Sequence, residues 1–532
     1  MATNEGTPES PLTWTGGRAA ATGAVVLAGV VLGVVGDLLL REPDGLGLNL
    51  AAWIAAVAVA ALVLQYRLGS GHDRGRVGWL VAGALFGAAL MWRDAPFLKL
   101  LTLTVATMSF ALAAHRLTTA WIRRAGVTHY AGALALGALH AWMAGVIVLV
   151  DVMRVTPPFA VGAASSWRRG LAFVRGLAIA LPVLGLFGLL FMSADAVFAR
   201  MVADAFRFDL EQVISHVIVF SVLTWIGTGY LRGFLYGTDI AWVGPLPNES
   251  VLFGLLARRP ALGRTEIAMV LGSLNLLFLL FVAIQFRYLF GGATLVQISP
   301  NLTYADYARR GFFELVTAVA LVVPLLLAMD WLRSGAAGLF RALAGAQVVL
   351  VLAVAASAFE RLRLYYSVYG LTEARFYAMA LLAWIAVMLV WLALTVLRDR
   401  RDRFAVGALL TACASVALFF VINPDAFIAR ANLARLTSTD ATVRFDVAYA
   451  TTLSADAVPV LVQALPTLPA DVQCRLARHM LRRWSPGQVS SIRSWNWSAA
   501  HARDAVRTHA AQLQAAVGPS RECATDDGST PP

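Results

Sequence analysis

The chain has 532 residues, of which 59% are hydrophobic and only 14% are charged, and its formal net charge at pH 7 is +12. Soluble domains average about 25% charged residues, so this composition excludes a water-soluble globular protein. The positive charge does not indicate nucleic-acid binding, because the basic residues are almost all arginines in short clusters between apolar runs. Such clusters are typical of membrane topology signals and of lipid-headgroup contacts.

Apolar runs of membrane-spanning length follow one another from Ala19 to Ile422 and then stop. About twenty apolar residues cross a bilayer core as a helix. The sequence therefore predicts an all-α fold, a polytopic helical membrane bundle of about 11–13 transmembrane helices with a small helical C-terminal segment. The predicted spans are 19–40, 46–66, 77–92, 97–115, 131–153, 171–193, 213–235, 266–289, 311–332, 339–359, 374–397 and 404–422.

The domain organisation follows from these runs. We predict a polar N-terminal tail (1–18), a transmembrane domain (19–422), a helical extramembrane segment (423–517) and a disordered tail (518–532). The first apolar run is too long for a signal-peptide core, so it is expected to remain as an anchor. The extramembrane segment is expected to form helices over 458–465, 469–484 and 498–517, because each carries an apolar stripe at helical spacing.

Arginines in short loops predict the orientation in the membrane. Two sets of arginines each place their own loops in the cytoplasm: an early set, Arg67 to Arg76 and Arg116 to Arg124, and a late set, above all Arg398 to Arg403. The two sets disagree by one membrane crossing. Either one early span does not traverse, which gives about eleven crossings, or one further span escapes the prediction. The span 77–92 is short for a crossing and is interpreted as a hairpin or re-entrant element with 97–115. Taking the late set as fixed places the N-terminus inside and the C-terminal segment outside the cytoplasm.

Three cysteines are present, Cys413 in a span and Cys474 and Cys523 in the C-terminal segment. They form no CxxC pair and no metal-ligand spacing, so neither a disulfide framework nor a zinc site is expected. A single bridge between Cys474 and Cys523 remains open. We expect no metal and no cofactor.

Several longer strings are specific enough to indicate a family. They are Arg93-Asp-Ala-Pro, Ser193-Ala-Asp-Ala-Val-Phe, Gln285-Phe-Arg-Tyr-Leu-Phe-Gly-Gly, Tyr304-Ala-Asp-Tyr-Ala-Arg-Arg-Gly-Phe-Phe-Glu, Phe359-Glu-Arg-Leu-Arg-Leu-Tyr-Tyr and Asn423-Pro-Asp. Together they resemble the bacterial multi-pass membrane family catalogued as domain of unknown function 4153/4173, over most of the chain from about Arg93 to Asp456. The resemblance implies a protein of the bacterial cytoplasmic (inner) membrane. It supplies no catalytic residue, because that family has no assigned activity.

If the late arginine set fixes the orientation, most of these strings lie on the extracytoplasmic side of the membrane. The segment 360–373 is interpreted as a loop on that side. The strings carry a candidate polar belt of ionisable and polar residues at one membrane boundary. Such groups are costly at that depth unless they are paired or wetted, so the belt is either a set of helix anchors and ion pairs, which we favour, or a binding site. We predict that Arg310, Glu314, Glu360 and Arg363 form one network. The belt comprises Asp195, Tyr304, Asp306, Arg309, Arg310, Glu314, Glu360, Arg361, Arg363, Tyr366, Glu373, Asn423 and Asp425.

Two classes of function are consistent with these features. The favoured one is a non-enzymatic membrane protein that senses, scaffolds or transports a small solute, with the lipid bilayer and a small solute or a membrane protein as partners. The alternative is a polytopic lipid-linked glycosyltransferase, in which Asp37, Glu42 or Asp44 of the first outer loop would hold a divalent cation or act as a base. Polar residues inside spans, such as Asn275, Gln285 and His216, are interpreted mainly as interhelical hydrogen-bonding groups.

Overall fold

The computed structural model describes residues 11–41, 45–68, 74–114, 143, 210–236, 239–240, 244–245, 262–290, 312–436, 445–484, 491–518 and 523. The chain divides into two compact units. Unit 1 comprises Met1–Glu42, Ala56–His72 and Gly137–Leu246, and unit 2 comprises Pro43–Ala55, Asp73–Leu136 and Pro247–Pro532.

Helices make up nearly all of the described regular structure. They are α1 (Pro11–Leu40), α2 (Leu48–Arg67), α3 (Arg74–Ala89), α4 (Pro96–Ala114), α5 (Leu210–Tyr236), α6 (Arg264–Phe290), α7 (Phe312–Leu332), α8 (Ala337–Tyr369), α9 (Glu373–Thr395), α10 (Phe404–Ile422), α11 (Pro424–Leu436), α12 (Val447–Ala450), α13 (Val458–Ala464), α14 (Ala470–Arg483), α15 (Trp497–Thr508) and α16 (Ala510–Val517). The only described strands, β1 (Asp239–Ile240) and β2 (Gly244–Pro245), form a minimal antiparallel pair.

Within the described residues, nine helices are long and apolar enough to cross a membrane, namely α1, α2 and α4 to α10. Their bounds follow the predicted spans closely, and the predicted fold class of a polytopic helical bundle is confirmed. The predicted spans 131–153 and 171–193 lie outside the described residues. One expectation was wrong, because α8 continues to Tyr369 and the segment from Glu360 onwards is helix, not loop.

Unit 1 contains a close pair of helices, α1 and α5. Gly29 and Gly33 of α1, one turn apart, face the hydroxyl-bearing residues Thr228 and Thr224 of α5. A Cβ added at Gly29 would lie 1.8 Å from Thr228 Oγ1, and one added at Gly33 would lie 1.9 Å from Thr224 Oγ1. Glycines at this spacing allow two helix backbones to approach closely in a membrane, where van der Waals packing drives association.

Unit 2 contains the helical hairpin α3–α4 and a bundle of α6 to α10. The hairpin turn lies between Ala89 and Pro96, and Gly83 of α3 allows close packing, since a Cβ there would lie 2.7 Å from the Phe110 ring. In the bundle, Asn275 Nδ2 of α6 donates to the Leu343 carbonyl of α8 at 2.9 Å, as interhelical hydrogen bonding predicts. Helices α6 to α10 share one apolar core.

One end of the unit 2 bundle is rich in arginine. The connections α7–α8 and α9–α10 both lie there, and Arg333 Nε contacts Asp330 at 2.7 Å. Asp399, in a left-handed conformation between two short 3-10 turns, accepts from both Arg333 and Arg341. These ion pairs join the two connections at the membrane end that carries the Arg398 to Arg403 cluster.

The C-terminal segment packs at the opposite end of unit 2. Helices α11 to α16 enclose their own apolar core, which also includes Leu371 and Phe376 at the start of α9. Helix α10 ends at Asn423, whose positive φ of 56° is tolerated by asparagine, and Pro424 begins α11. Cys474 and Cys523 form a disulfide within this segment, which settles the pairing that the sequence left open.

Candidate functional site

The carboxylate of Asp456 is buried in unit 2 and accepts several hydrogen bonds from distant parts of the chain. It lies in a 3-10 turn that begins after Ser454, whose hydroxyl accepts a hydrogen bond from the Asp456 amide. Asp456 Oδ2 accepts from the backbone amides of Asp94 at 2.6 Å and Ala95 at 3.2 Å. The Asp456 side chain is fully buried, so these bonds are made away from solvent.

The second oxygen of Asp456 faces two side-chain donors. Arg93 Nη1 donates to Asp456 Oδ1 at 3.3 Å, and the Ser498 hydroxyl at the start of α15 also contacts this oxygen. Burial raises the pKa of Asp456 above its ordinary value, while the hydrogen bonds from Ser498 and Asp94 and the charge of Arg93 act in the opposite direction. We call Arg93, Asp94, Ala95, Ser498 and Asp456 the Asp456 contact set.

The hairpin turn α3–α4 is held by further bonds from the C-terminal segment. Asn496 Nδ2 donates to the carbonyls of Leu90 and Arg93 at 3.0 and 3.1 Å, and the Trp497 amide donates to the Met91 carbonyl at 2.7 Å. Arg93 also donates from Nε and Nη2 to the Phe420 carbonyl, which is left open at the end of α10. The contact set therefore joins three elements: the hairpin turn, the end of α10 and the C-terminal segment.

Two neighbouring carboxyl groups, that of the buried Asp425 and that of the half-buried Glu373, lie next to the Asp456 contact set. Asp425 of α11 is completely buried, and its Oδ2 accepts from the Ser454 amide at 2.9 Å. Its Oδ1 receives no donor from the described residues, and the carboxyl group of Glu373 lies within hydrogen-bond range of it.

Beside this pair lies a cavity of about 250 Å³. The α8–α9 connection, α11 and the residues around α12 form its walls. Tyr449 accepts a hydrogen bond on its hydroxyl from the Glu373 amide at 2.7 Å, and burial raises its pKa to about 12, so it stays neutral. Two arginines, Arg375 and Arg435, line the same cavity, which gives it a basic lining.

Five of the predicted belt residues lie outside the described residues, namely Asp195, Tyr304, Asp306, Arg309 and Arg310. The predicted network of Arg310 with Glu314, Glu360 and Arg363 therefore stays a prediction. Glu314 is exposed near the start of α7. Glu360 and Arg363 form an exposed pair at 2.9 Å, three residues apart on α8.

The remaining belt residues lie at several different places in unit 2. Arg361 Nη2 donates to Gln285 Oε1 of α6 at 2.6 Å, and Gln285 also accepts from Ser357. The Tyr366 carbonyl accepts from the Gly370 amide where α8 ends, and Asn423 forms the α10–α11 turn. Glu373 and Asp425 are the two belt residues that the structure brings together, with Asp425 buried and Glu373 half-buried.

Asp37, predicted to lie in a loop, lies instead within α1 of unit 1, because α1 continues to Leu40. Asp37 Oδ2 contacts His216 Nδ1 of α5 at 2.6 Å, and Arg41 Nε lies 3.9 Å from Asp37 Oδ1. Glu42 and Asp44 lie outside the described residues. Within the described part of the chain, no three His, Cys, Asp or Glu side chains are grouped as metal ligands.

Sequence reasoning did not identify Asp456, Arg93, Ser498 or Arg435 as site residues. The signal was present only in part, because Arg93-Asp-Ala-Pro was noted as a family string. No local pattern in the sequence indicates that this string would bind the carboxylate of Asp456, which lies far away in the chain. Their pairing depends on the packing of the C-terminal segment.

The fold and this site define a multi-pass helical membrane protein whose C-terminal helical segment is joined to the end of its bundle by buried polar bonds. The family model described as "Domain of unknown function (DUF4153)" matches residues 80–464, which is more than half of the chain. The chain therefore belongs to the DUF4153 family, and the suspected resemblance is confirmed. The match includes both Arg93 and Asp456. Neither a curated protein nor a solved structure matches the chain.

Proposed function

We propose that the protein is a non-enzymatic sensor of the bacterial cytoplasmic membrane, in which the helical bundle holds the C-terminal segment as a fixed receptor at the outer face. The observation that supports this most is the Asp456 contact set. Removing one partner of a buried charged pair costs about 3–5 kcal/mol, so bonds of this kind resist opening. Alternating-access transport requires elements at the membrane boundary to separate, so this arrangement favours sensing or scaffolding over transport.

Two features support an outer location for the C-terminal segment. Cys474 and Cys523 are paired, and disulfides persist in oxidising compartments outside the cytoplasm. The opposite end of the unit 2 bundle carries the Arg398 to Arg403 cluster, and arginine-rich short connections favour the cytoplasm. Both features support the same orientation of unit 2.

Labelling of single engineered cysteines tests the orientation. In a Cys413→Ala background that keeps the native disulfide, Asp504→Cys places a thiol at an exposed position of α15, and Arg400→Cys places one in the arginine-rich connection. A membrane-impermeant maleimide added to intact cells should label position 504 but reach position 400 only after permeabilisation. The reverse pattern contradicts the proposed orientation.

A distance measurement on the same positions tests the fixed receptor. Spin labels at 400 and 504 in one chain, reconstituted in lipid nanodiscs, should give a single narrow distance distribution. The native contact set predicts this result because α15 is bonded to the hairpin turn and, through Asp456, to the end of α10. Two populations, or one broad distribution, would favour a moving transporter and overturn the proposal.

A further inference from the structure

The cavity at the end of α8 is lined by polar residues that do not belong to the Asp456 contact set. Its polar lining residues include Tyr369, Arg375, Asn432, Arg435, Asp446 and Tyr449. All of them belong to unit 2. Because α8 and α9 are spans that end and begin here, the cavity lies at the depth where lipid headgroups and water meet the bundle.

Arg375 presents one positive charge to this cavity. Its Nη1 donates to the carbonyls of Tyr369 and Gly370, and its guanidinium carbon lies 4.3 Å from the centroid of the Tyr365 ring. Within the described residues, no carboxylate forms an ion pair with Arg375. Carbonyl dipoles and an aromatic face orient the guanidinium but leave its charge uncompensated.

Arg435 presents a second positive charge. Its Nη2 donates to the Ser367 carbonyl at 2.9 Å, which fixes the side chain against the last turn of α8. Burial lowers the pKa of Arg435 below its ordinary value; Tyr366 acts against this shift, and the nearby charge of Arg375 acts with it. Two arginine charges and the single carboxylate of Asp446 line the cavity, so the lining as a whole favours an anion.

The backbone conformation at Gly370 allows the Arg435 side chain to lie close to it. Gly370 has a φ of +81°, which favours glycine, and a Cβ there would lie 2.8 Å from Arg435 Nη1. Asn432 pairs with Leu371 in both directions, accepting from its amide at 2.7 Å and donating to its carbonyl at 2.8 Å. The acidic lining residue, Asp446, uses Oδ1 to accept from the Tyr449 amide at the start of α12. The walls are therefore held by local bonds.

We propose that this cavity binds a phosphate group between Arg375 and Arg435. Guanidinium groups match the geometry and charge of phosphate oxygens, and Tyr449 and Asn432 add neutral polar groups to the lining. The phosphate belongs either to a phospholipid headgroup or to a soluble ion, since both reach this depth. This inference deepens the proposed sensor function, on which it rests, by naming the class of ligand.

Binding is measured on the full chain, purified in dodecyl maltoside and delipidated, because this detergent carries no phosphate. The two probes are inorganic phosphate and dihexanoyl phosphatidylglycerol, each titrated by calorimetry. Arg375→Gln and Arg435→Gln should each weaken binding at least about tenfold, since each removes a charge-assisted hydrogen bond. The matched control is Arg363→Gln, which removes an exposed arginine of α8 that does not line the cavity and should leave affinity unchanged.

The two probes distinguish the two sources. Binding of inorganic phosphate that depends on both cavity arginines identifies a soluble anion, whereas binding of the lipid alone identifies a headgroup site. The proposal is overturned if neither probe binds the wild-type chain, or if Arg363→Gln weakens binding as much as the cavity variants do.

A measurement on the wild-type chain avoids dependence on the folding of variants. Phenylglyoxal modifies accessible arginines, and peptide mass mapping reports each site. Whichever probe binds should protect Arg375 and Arg435 and leave Arg363 equally reactive, and equal modification with and without that probe contradicts the site. This assay does not depend on membrane orientation, so its failure is distinguishable from failure of the labelling experiment above.

Discussion

Replacing Asp456 with alanine should detach or loosen the C-terminal segment. The change removes the acceptor of two backbone amides, those of Asp94 and Ala95, and of the Arg93 and Ser498 side chains. A buried donor left without an acceptor costs about 1–3 kcal/mol, and breaking a buried charged pair costs about 3–5 kcal/mol. Because Arg93 keeps its bonds to the Phe420 carbonyl, we expect a total loss of about 3–5 kcal/mol.

Denaturant titration in detergent, followed by the total tryptophan fluorescence, reports this loss of stability; Trp495 and Trp497, where the segment meets the hairpin turn, are two of the fifteen tryptophans that contribute. The matched control is Asp471→Ala, which removes an exposed i,i+4 partner of Arg475 and should change stability by less than about 1 kcal/mol. Hydrogen exchange should also increase in α15 of the Asp456→Ala variant. If the two variants have equal stability, the Asp456 contact set does not hold the segment and the reasoning is refuted.

Three further predictions concern other parts of the chain. Cys474→Ser should lower the stability of the C-terminal segment by about 2–4 kcal/mol, measurable as a drop in the denaturation midpoint that reductant reproduces in the wild type. Gly29→Ala should lower the thermal midpoint of the protein because the added Cβ would overlap the facing helix, whereas Gly23→Ala, with open space at that position, should not. Burial, together with the charge of Arg483, lowers the pKa of His479, so the unfolded chain binds a proton first as pH falls. Stability should therefore be complete above about pH 6.5 and decrease below it, and His479→Gln should remove that part of the pH dependence.

Each of these predictions can fail clearly. An unchanged midpoint in Cys474→Ser would mean that the disulfide does not constrain the segment, and equal midpoints for the two glycine variants would contradict the close packing of α1. If His479→Gln retains the full decrease below pH 6.5, other groups cause the acid sensitivity.

Much of the fold could be predicted from local composition. The predicted spans from 213 to 422 correspond to α5 to α10 because an apolar window of about twenty residues is itself the property that a bilayer selects. The end of α8 was missed because hydropathy marks where apolar character stops, not where the helix stops. Glu360 and Arg363 pair along the helix surface, and α8 continues past the last apolar run.

The candidate site was less accessible to sequence reasoning. Glu373 and Asp425 were included in the predicted belt, but as boundary residues among many and not as neighbours of each other. The basic cavity depends on Gly370 and Asn432, whose roles follow from a backbone conformation and a two-way bond to Leu371. Residues of these types are common in turns and helices, so their presence alone does not indicate a site.

The sequence by itself determined the class of this protein, because length and hydropathy of consecutive residues decide whether a helix can lie in lipid. The family strings, which are also local, were sufficient to indicate membership of a family without an assigned activity. Only the tertiary structure decided which polar groups meet. Arg93 and Asp456 lie in distant parts of the chain, and a hydrogen bond acts only over about 3 Å, so their contact exists only after the bundle and the C-terminal segment have packed.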